Sequence, residues 1–337
     1  MIVLLTGGTG YIGSHVCVEL LNSGHDVVIA DNLSNSKIGV VERINKIAGN
    51  SSVVFRKLDL RDYESLELVF HEFQFDAVMH FAGYKAVGES VYCPLKYYEN
   101  NVQGSINLLK AMLKYNVKRI VFSSSATVYG MSEDVPFHEY SPLNAVNPYG
   151  RTKFFIEEIL RDFQTANKDV MVCILRYFNP VGAHKSGLIG EDPTGIPNNL
   201  MPFIVHVAAG EQKKLSIFGS DYSTPDGTCV RDYIHVADLA LGHTLALEKH
   251  KQDSGCFVYN LGRGKGISVL QMVRTFQKVN GIMIDYEFSE RREGDIAVSY
   301  AANTKAYSVL GWKPENTLED MCRDSWRWYK NSKLMKL

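Results

Sequence analysis

The sequence predicts an α/β fold: a doubly wound parallel sheet followed by a smaller, mixed α/β C-terminal domain. Three observations carry this. Short apolar runs alternate with longer segments of helical period through the first half. A glycine-rich turn joins the first apolar run to the first helix. After Asn179 the pattern loosens into loops rich in Gly, Pro and Asn between shorter elements. At 337 residues the chain has length for about two domains of roughly 150 residues each.

In order, the predicted strands are Ile2–Leu5, Val27–Ile29, Val53–Arg56, Ala77–Phe81, Ile120–Ser123 and Met171–Leu175. The helices between them are Tyr11–Ser23, Lys37–Ile47, Tyr63–Glu72, Leu95–Tyr115 and Pro148–Ala166. Each helix is long enough to cross one face of the sheet, which gives a Rossmann-type arrangement. The first domain is expected over 1–180 and the second over 181–337. A return to the first is expected over 231–247, because Tyr233-Ile234-His235-Val236 reads as a strand and Ala237 onwards as a helix.

Composition excludes several classes of function. Hydrophobic residues are 45% and charged residues 22%, against disorder, coiled coil and collagen-like repeats. Lys plus Arg (36) balances Asp plus Glu (37), without the basic excess that a nucleic-acid binder needs. Cys17, Cys93, Cys173, Cys229, Cys256 and Cys322 are scattered with no Cys-x-x-Cys pair, so no metal site is expected, and reduced thiols in a cytoplasmic protein are. The apolar start Met1–Leu5 lacks a basic flank and is too short for a signal peptide or a membrane span.

The first strand ends in Thr6-Gly7-Gly8-Thr9-Gly10-Tyr11-Ile12-Gly13 and runs into a helix. Glycine there permits a tight turn and close approach of a pyrophosphate, which the free N–H groups of the helix start can bind. Asp31 ends the second strand, where a carboxylate would accept from the adenosine ribose hydroxyls and repel a 2′-phosphate, favouring NAD over NADP. Asn147 suits an N-cap and Pro148 the first helical position, so Tyr149 and Lys153 share one helix face. A phenol beside an ammonium favours its ionised form. Upstream, Ser123-Ser124-Ser125 places hydroxyls at the carboxyl end of a parallel strand, where ligands bind in such folds.

With these features in place, the sequence resembles the extended short-chain dehydrogenase/reductase family and, within it, the UDP-glucose 4-epimerases. The resemblance covers nearly the whole chain. It includes His80-Phe81-Ala82-Gly83-Tyr84-Lys85-Ala86-Val87-Gly88-Glu89-Ser90, Arg176-Tyr177-Phe178-Asn179-Pro180-Val181-Gly182-Ala183, Asn198-Asn199-Leu200-Met201-Pro202, Arg231-Asp232-Tyr233-Ile234-His235 and Arg291-Arg292-Glu293-Gly294-Asp295.

The resemblance implies tightly held NAD contacted by Gly7, Gly10, Tyr11, Ile12, Gly13, Asp31, Asn32, Asn35, Asp59, Leu60, Phe81, Ala82, Gly83, Lys85, Asn100, Ser125, Tyr149, Lys153 and Phe178. Asp59, at the end of the third strand, is expected to accept from the adenine amine. A UDP-hexose is the implied substrate, at Lys85, Ser125, Tyr149, Asn179, Asn198, Asn199, Leu200, Phe218, Arg231, Arg292, Asp295 and Ser299. Two arginines suit a diphosphate, which guanidinium matches bidentately. Tyr149, Lys153 and Ser125 are the implied catalytic residues. Tyr149 takes the proton of the sugar 4-hydroxyl while C4 gives hydride to NAD, and the 4-keto sugar turns over and is reduced on its other face.

Ser299 stands where some bacterial relatives carry a bulky tyrosine, so N-acetylated UDP-sugars are expected to fit. Homodimers are common in the family. Tyr97, Leu108, Met112, Phe154, Ile159 and Phe163 form either an intersubunit seam or the core face of amphipathic helices. The alternatives are a sugar-nucleotide 4,6-dehydratase, a uronic-acid epimerase and a non-catalytic NAD-binding sensor. Dehydratases of the family carry an Asp-Glu pair after the strand-end hydroxyl, where this chain has Ala126-Thr127.

Overall fold

The computed structural model describes residues 1–49, 52–132, 134–192, 199–292 and 295–335. In chain order the elements are β1 (Ile2–Thr6), α1 (Tyr11–Asn22), β2 (Asp26–Asp31), α2 (Gly39–Ala48), β3 (Val54–Lys57), α3 (Tyr63–Glu72), β4 (Ala77–His80), α4 (Val87–Tyr92), α5 (Pro94–Tyr97), a π-helical turn (Tyr98–Gln103) and α6 (Gly104–Lys114). There follow β5 (Arg119–Ser125), a 3-10 turn (Ala126–Tyr129), α7 (Pro148–Ala166), β6 (Met171–Tyr177), β7 (Asn179–Val181), α8 (Leu200–Ala208), β8 (Leu215–Phe218), β9 (Val230–Arg231) and β10 (Tyr233–His235). The chain closes with α9 (Val236–His250), β11 (Gly255–Leu261), β12 (Ile267–Ser268), α10 (Val269–Asn280), β13 (Tyr286–Ser289), β14 (Val298–Ser299), α11 (Thr304–Leu310) and α12 (Leu318–Leu334).

Contacts divide the chain into two units. The first comprises Met1–Gly130, Pro142–Arg176 and Ala240–Tyr259, and the second Met131–Ser141, Tyr177–Leu239 and Asn260–Leu337. The sheet of the first unit has the order β11-β6-β5-β4-β1-β2-β3. β1 pairs in parallel with both β2 and β4, and β2–β3 and β4–β5 are also parallel. Strand order therefore reverses between β1 and β4, and their carboxyl ends, Thr6 and His80, open the crevice where α/β sheets bind ligands.

The strands form because their apolar runs are buried on both faces: Val3, Leu4, Leu5, Val78 and Met79 have no exposed surface. On the face that carries Leu4 and Val78, the side chains of Leu66, Phe70, Leu108, Met112, Ile156 and Leu160 pack from α3, α6 and α7. Tyr97, Leu108 and Met112 are thus core, not seam, while Val87, Val91 and Tyr92 of α4, Leu95 of α5 and Phe155 of α7 are exposed apolar side chains.

Two expectations need correction. The helix over Leu95–Tyr115 is broken into α5, the π turn and α6. Asn101, inside the turn, is held by distant groups: it donates to the Tyr84 carbonyl (3.0 Å) and Thr152 Oγ1 (3.1 Å) and accepts from Tyr84 N–H (2.8 Å). The strand over Tyr233–His235 pairs with β7 in the second unit, while the return to the first unit runs over Ala240–Tyr259 and brings β11 to the large sheet.

The second unit has small sheets, β10-β7, β12-β9-β14 and β13-β8. Its core gathers Ile204, Ile217, Met272, Val273, Phe276, Met321 and Cys322 between α8, α10 and α12. Buried Asp232 ties its loops by accepting from the N–H groups of Arg263 (2.7 Å), Gly264 (3.0 Å) and Ala301 (3.1 Å). All six cysteines are free thiols. Among the described residues, no helix is long and apolar enough to cross a membrane, and no group of three His, Cys, Asp or Glu could hold a metal ion.

Candidate active site

The glycine turn follows β1 directly. Gly7 N–H donates to the Ala30 carbonyl (2.8 Å) and Gly10 N–H to the Gly7 carbonyl (3.1 Å). Gly7 has φ +70°, and a Cβ there would stand 2.6 Å from the Ala82 nitrogen. A Cβ on Gly13 would stand 2.3 Å from the Gly7 oxygen. The turn therefore has no room for side chains. Helix α1 follows Gly10 with no side-chain cap and no acidic residue in its first turn, which suits an anion at its N-terminus.

Asp31 closes β2 and is nearly buried. Its carboxylate accepts from Thr9 N–H (3.1 Å) and Leu33 N–H (2.8 Å), which fixes it beside the turn. Asn32 donates to Asp59 (3.0 Å). Asp59 lies two residues past β3 and is already gripped by Arg61 (2.8 Å), which holds its carboxyl well below the usual carboxylate range. Leu60 packs under Gly104. At the end of β4, Phe81 N–H donates to the Thr6 carbonyl (3.0 Å) and the Phe81 ring meets His243, with centroids 4.9 Å apart. Gly83 sits against the Asn101 side chain, which also accepts from Asn100 (2.9 Å), and Lys85 Nζ lies 5.8 Å from the centre of the Tyr11 ring. A glycine cradle open to a pyrophosphate beside a fixed carboxylate suits NAD.

Helix α7 begins as its sequence dictates: Asn147 Oδ1 accepts from Gly150 N–H (2.8 Å), with Pro148 at the first position. A Cβ on Gly150 would stand 3.1 Å from the Thr127 carbonyl, so the first turn of α7 lies against the 3-10 turn capped by Ser125. Tyr149 and Lys153 are both buried on this face. Lys153 Nζ donates to the Ser123 carbonyl (2.7 Å) and lies 4.8 Å from the centre of the Phe122 ring. Burial lowers its pKa to about 8, against the opposing pull of Glu157. His80 spans Thr6 Oγ1 (2.7 Å) and Ser105 Oγ (2.8 Å), and burial pushes its pKa down to about 3, so it is neutral.

The second unit contains an open cleft with about 200 Å³ of solvent-accessible space. Asn179, Asn199, Leu200, Phe218, Arg231, Arg292 and Asp295 all line it. Arg292 stacks on Phe218 at 3.8 Å, and Arg231 meets Asp295 at 3.3 Å and donates to the Ile296 carbonyl (2.8 Å). Asn199 donates to Glu191 (2.9 Å). Ser299 lies beside Arg231 in the β14–β9 pairing. Phe178 is buried in this unit, its N–H on the Leu261 carbonyl (3.2 Å). Asn198 lies outside the described residues. Sequence reasoning missed Cys229, Tyr233 and Met201 in the cleft wall, and Glu157 and Arg176 behind Lys153. Glu157 continues the four-residue spacing of Tyr149 and Lys153, a signal that points to it.

The family model described as GDP-mannose 4,6 dehydratase matches residues 4–325. A Bacillus subtilis protein named UDP-glucose 4-epimerase is 57% identical over 332 residues, covering 98% of each chain. The chain belongs to the UDP-glucose 4-epimerase family. An Arabidopsis thaliana member, UDP-glucose 4-epimerase 2, is 54% identical over 98% of this chain and 95% of its own. Two solved epimerases share the fold over 99% of each chain. The Stenotrophomonas maltophila enzyme, with bound NAD and formylated UDP-arabinopyranose, matches with a TM-score of 0.97 and 49% identity. The Bifidobacterium longum enzyme, in complex with NAD+ and UDP, matches at 0.95 and 50%.

Proposed function

We propose that this chain interconverts UDP-galactose and UDP-glucose by epimerisation at C4, with NAD as its resident cofactor. The observation that carries the reading is the buried face of α7, where Tyr149 and Lys153 lie one turn apart against the serine-bearing end of β5. Bound NAD would supply the hydride acceptor and donor for C4 of the sugar. Gly7, Gly10, Gly13 and Asp31 lead the set assigned to holding it, with the other cofactor positions named above.

Tyr149, as phenolate, takes the proton of the 4-hydroxyl as C4 is oxidised and gives it back as C4 is reduced, so the proton balances over one turnover. Ser125 shares that hydrogen bond. The Lys153 ammonium stabilises the negative phenol oxygen. Arg231 and Arg292 bind the diphosphate and ribose, and Phe218 the uracil side, so that the 4-keto sugar stays tethered while it changes face. Elimination would need a carboxylic acid beside Ser125, and Ala126 and Thr127 stand there, which disfavours the dehydratase reading.

The proposal extends to three finer points. Ser299 leaves room for a 2-acetamido group, so UDP-N-acetylglucosamine and UDP-N-acetylgalactosamine are also substrates. Two copies pair through the exposed apolar side chains of α4, α5 and α7. The free thiols suit a reducing, cytoplasmic setting.

The test is incubation of the purified protein, without added NAD, with UDP-galactose and with UDP-N-acetylgalactosamine, products being resolved by NMR. Conversion of both is expected. Conversion of UDP-galactose alone removes the Ser299 proposal, and no conversion even with NAD supplied overturns the reaction.

A further inference from the structure

The reaction above uses Tyr149 and Lys153 and leaves unused the charged side chain one further turn along the same helix face, Glu157. Its side chain is fully buried. It accepts from Ser124 Oγ (2.6 Å) and from Arg176 Nε (3.0 Å) and Nη2 (2.6 Å). Arg176 is buried as well and donates through Nη1 to the Tyr129 hydroxyl (3.1 Å). Such a pair is a poor device for stability alone. Desolvating two ions costs about what their attraction returns, and apolar residues of the same volume serve as well or better.

Its partners point to another role. Ser124 is the middle of the three serines that end β5, and strand alternation turns its side chain away from those of Ser123 and Ser125. The Ser123 carbonyl holds Lys153, Ser125 caps the 3-10 turn, and Tyr129 ends that turn. Glu157 and Arg176 thus join the helix carrying Tyr149, the strand end carrying Ser125 and the turn between them.

We propose that Glu157, clamped by Arg176, is a positioning residue that sets Ser125 against Tyr149 and supplies the countercharge for the Lys153 ammonium in its buried site. The inference rests on the assignment of Lys153 made above. The groups facing Lys153 are the Phe122 ring and Ser123 carbonyl from β5, neutral His80 from β4 and Glu157 from α7, with Tyr149 one turn earlier on the same buried helix face. Burial drives Lys153 toward its neutral form, and the negative charge that opposes this is Glu157.

The sign follows. Removing that charge makes Lys153 lose its proton at lower pH, so the alkaline fall of kcat moves to lower pH. In the NAD-loaded enzyme, Glu157→Gln is expected to shift that limb down by about one pH unit, the scale of one nearby charge. Because Gln takes the carboxylate from the buried guanidinium, the paired variant Glu157→Leu with Arg176→Met is made alongside it; it removes both charges, and a smaller shift in the same downward direction is expected, since Arg176's opposing charge goes with that of Glu157. Ser124→Ala cuts only the tie to the strand, and is expected to lower kcat by about tenfold with KM and the pH profile unchanged, one lost hydrogen bond's worth. A kcat lowered equally at every pH in the charge variants, or a Ser124→Ala enzyme with wild-type kcat, overturns the inference. Wild-type enzyme that fails to convert UDP-galactose overturns the functional reading instead.

Discussion

Glu157 and Arg176 in the first unit meet at 2.6 Å with both side chains withdrawn from solvent, whereas Arg231 and Asp295 in the second meet at 3.3 Å with 17% and 33% of their side chains exposed. The first pair has all its bonds committed to protein and cannot exchange a partner without stranding a charge. The second keeps contact with water, so a diphosphate can replace Asp295 on Arg231 at little cost. The proposed roles divide in the same way, the first pair holding geometry for hydride chemistry and the second receiving the nucleotide.

That contrast is open to attack by substitution. The largest effect is expected from Tyr149→Phe, which removes the group that moves the proton: turnover falls about 10²–10⁴-fold with NAD still bound, checked by product analysis and cofactor content. Next is stability. Glu157→Ala takes the carboxylate away from buried Arg176 and costs about 3–5 kcal/mol in denaturant unfolding, whereas Asp295→Asn costs less than about 1 kcal/mol. Equal losses from the two would erase the distinction. The binding effect is smaller: Arg231→Gln is expected to raise KM for UDP-galactose about 10–100-fold, from one lost charge-assisted contact, with kcat within a few-fold of wild type. A kcat that falls instead would assign Arg231 to the chemistry.

Most of the first unit is legible in the sequence because its signals are local. The strands over Ile2–Leu5 and Ala77–Phe81 are marked by apolar runs too short for helices, and the turn at Gly7 by residues that only a side-chain-free backbone allows. The start of α7 is written in Asn147 and Pro148. What was not legible depends on distant partners. The break inside Leu95–Tyr115 is held by Asn101 bonding to Tyr84 and Thr152, far apart in sequence. The pairing of Tyr233–His235 with β7 is decided by which edge is nearby, because a three-residue strand carries no address. Seven of the residues expected around the nucleotide line one cleft, yet the ion pair between Arg231 and Asp295 spans 64 positions and has no sequence signal.

The central claim is that one hydride leaves C4 and returns to C4 within the same active site. The direct measurement is turnover of UDP-galactose carrying deuterium at C4, followed by NMR of the product. The account predicts UDP-glucose with the deuterium retained at C4; deuterium found at C6 of a dehydrated sugar, or lost to solvent, would contradict it.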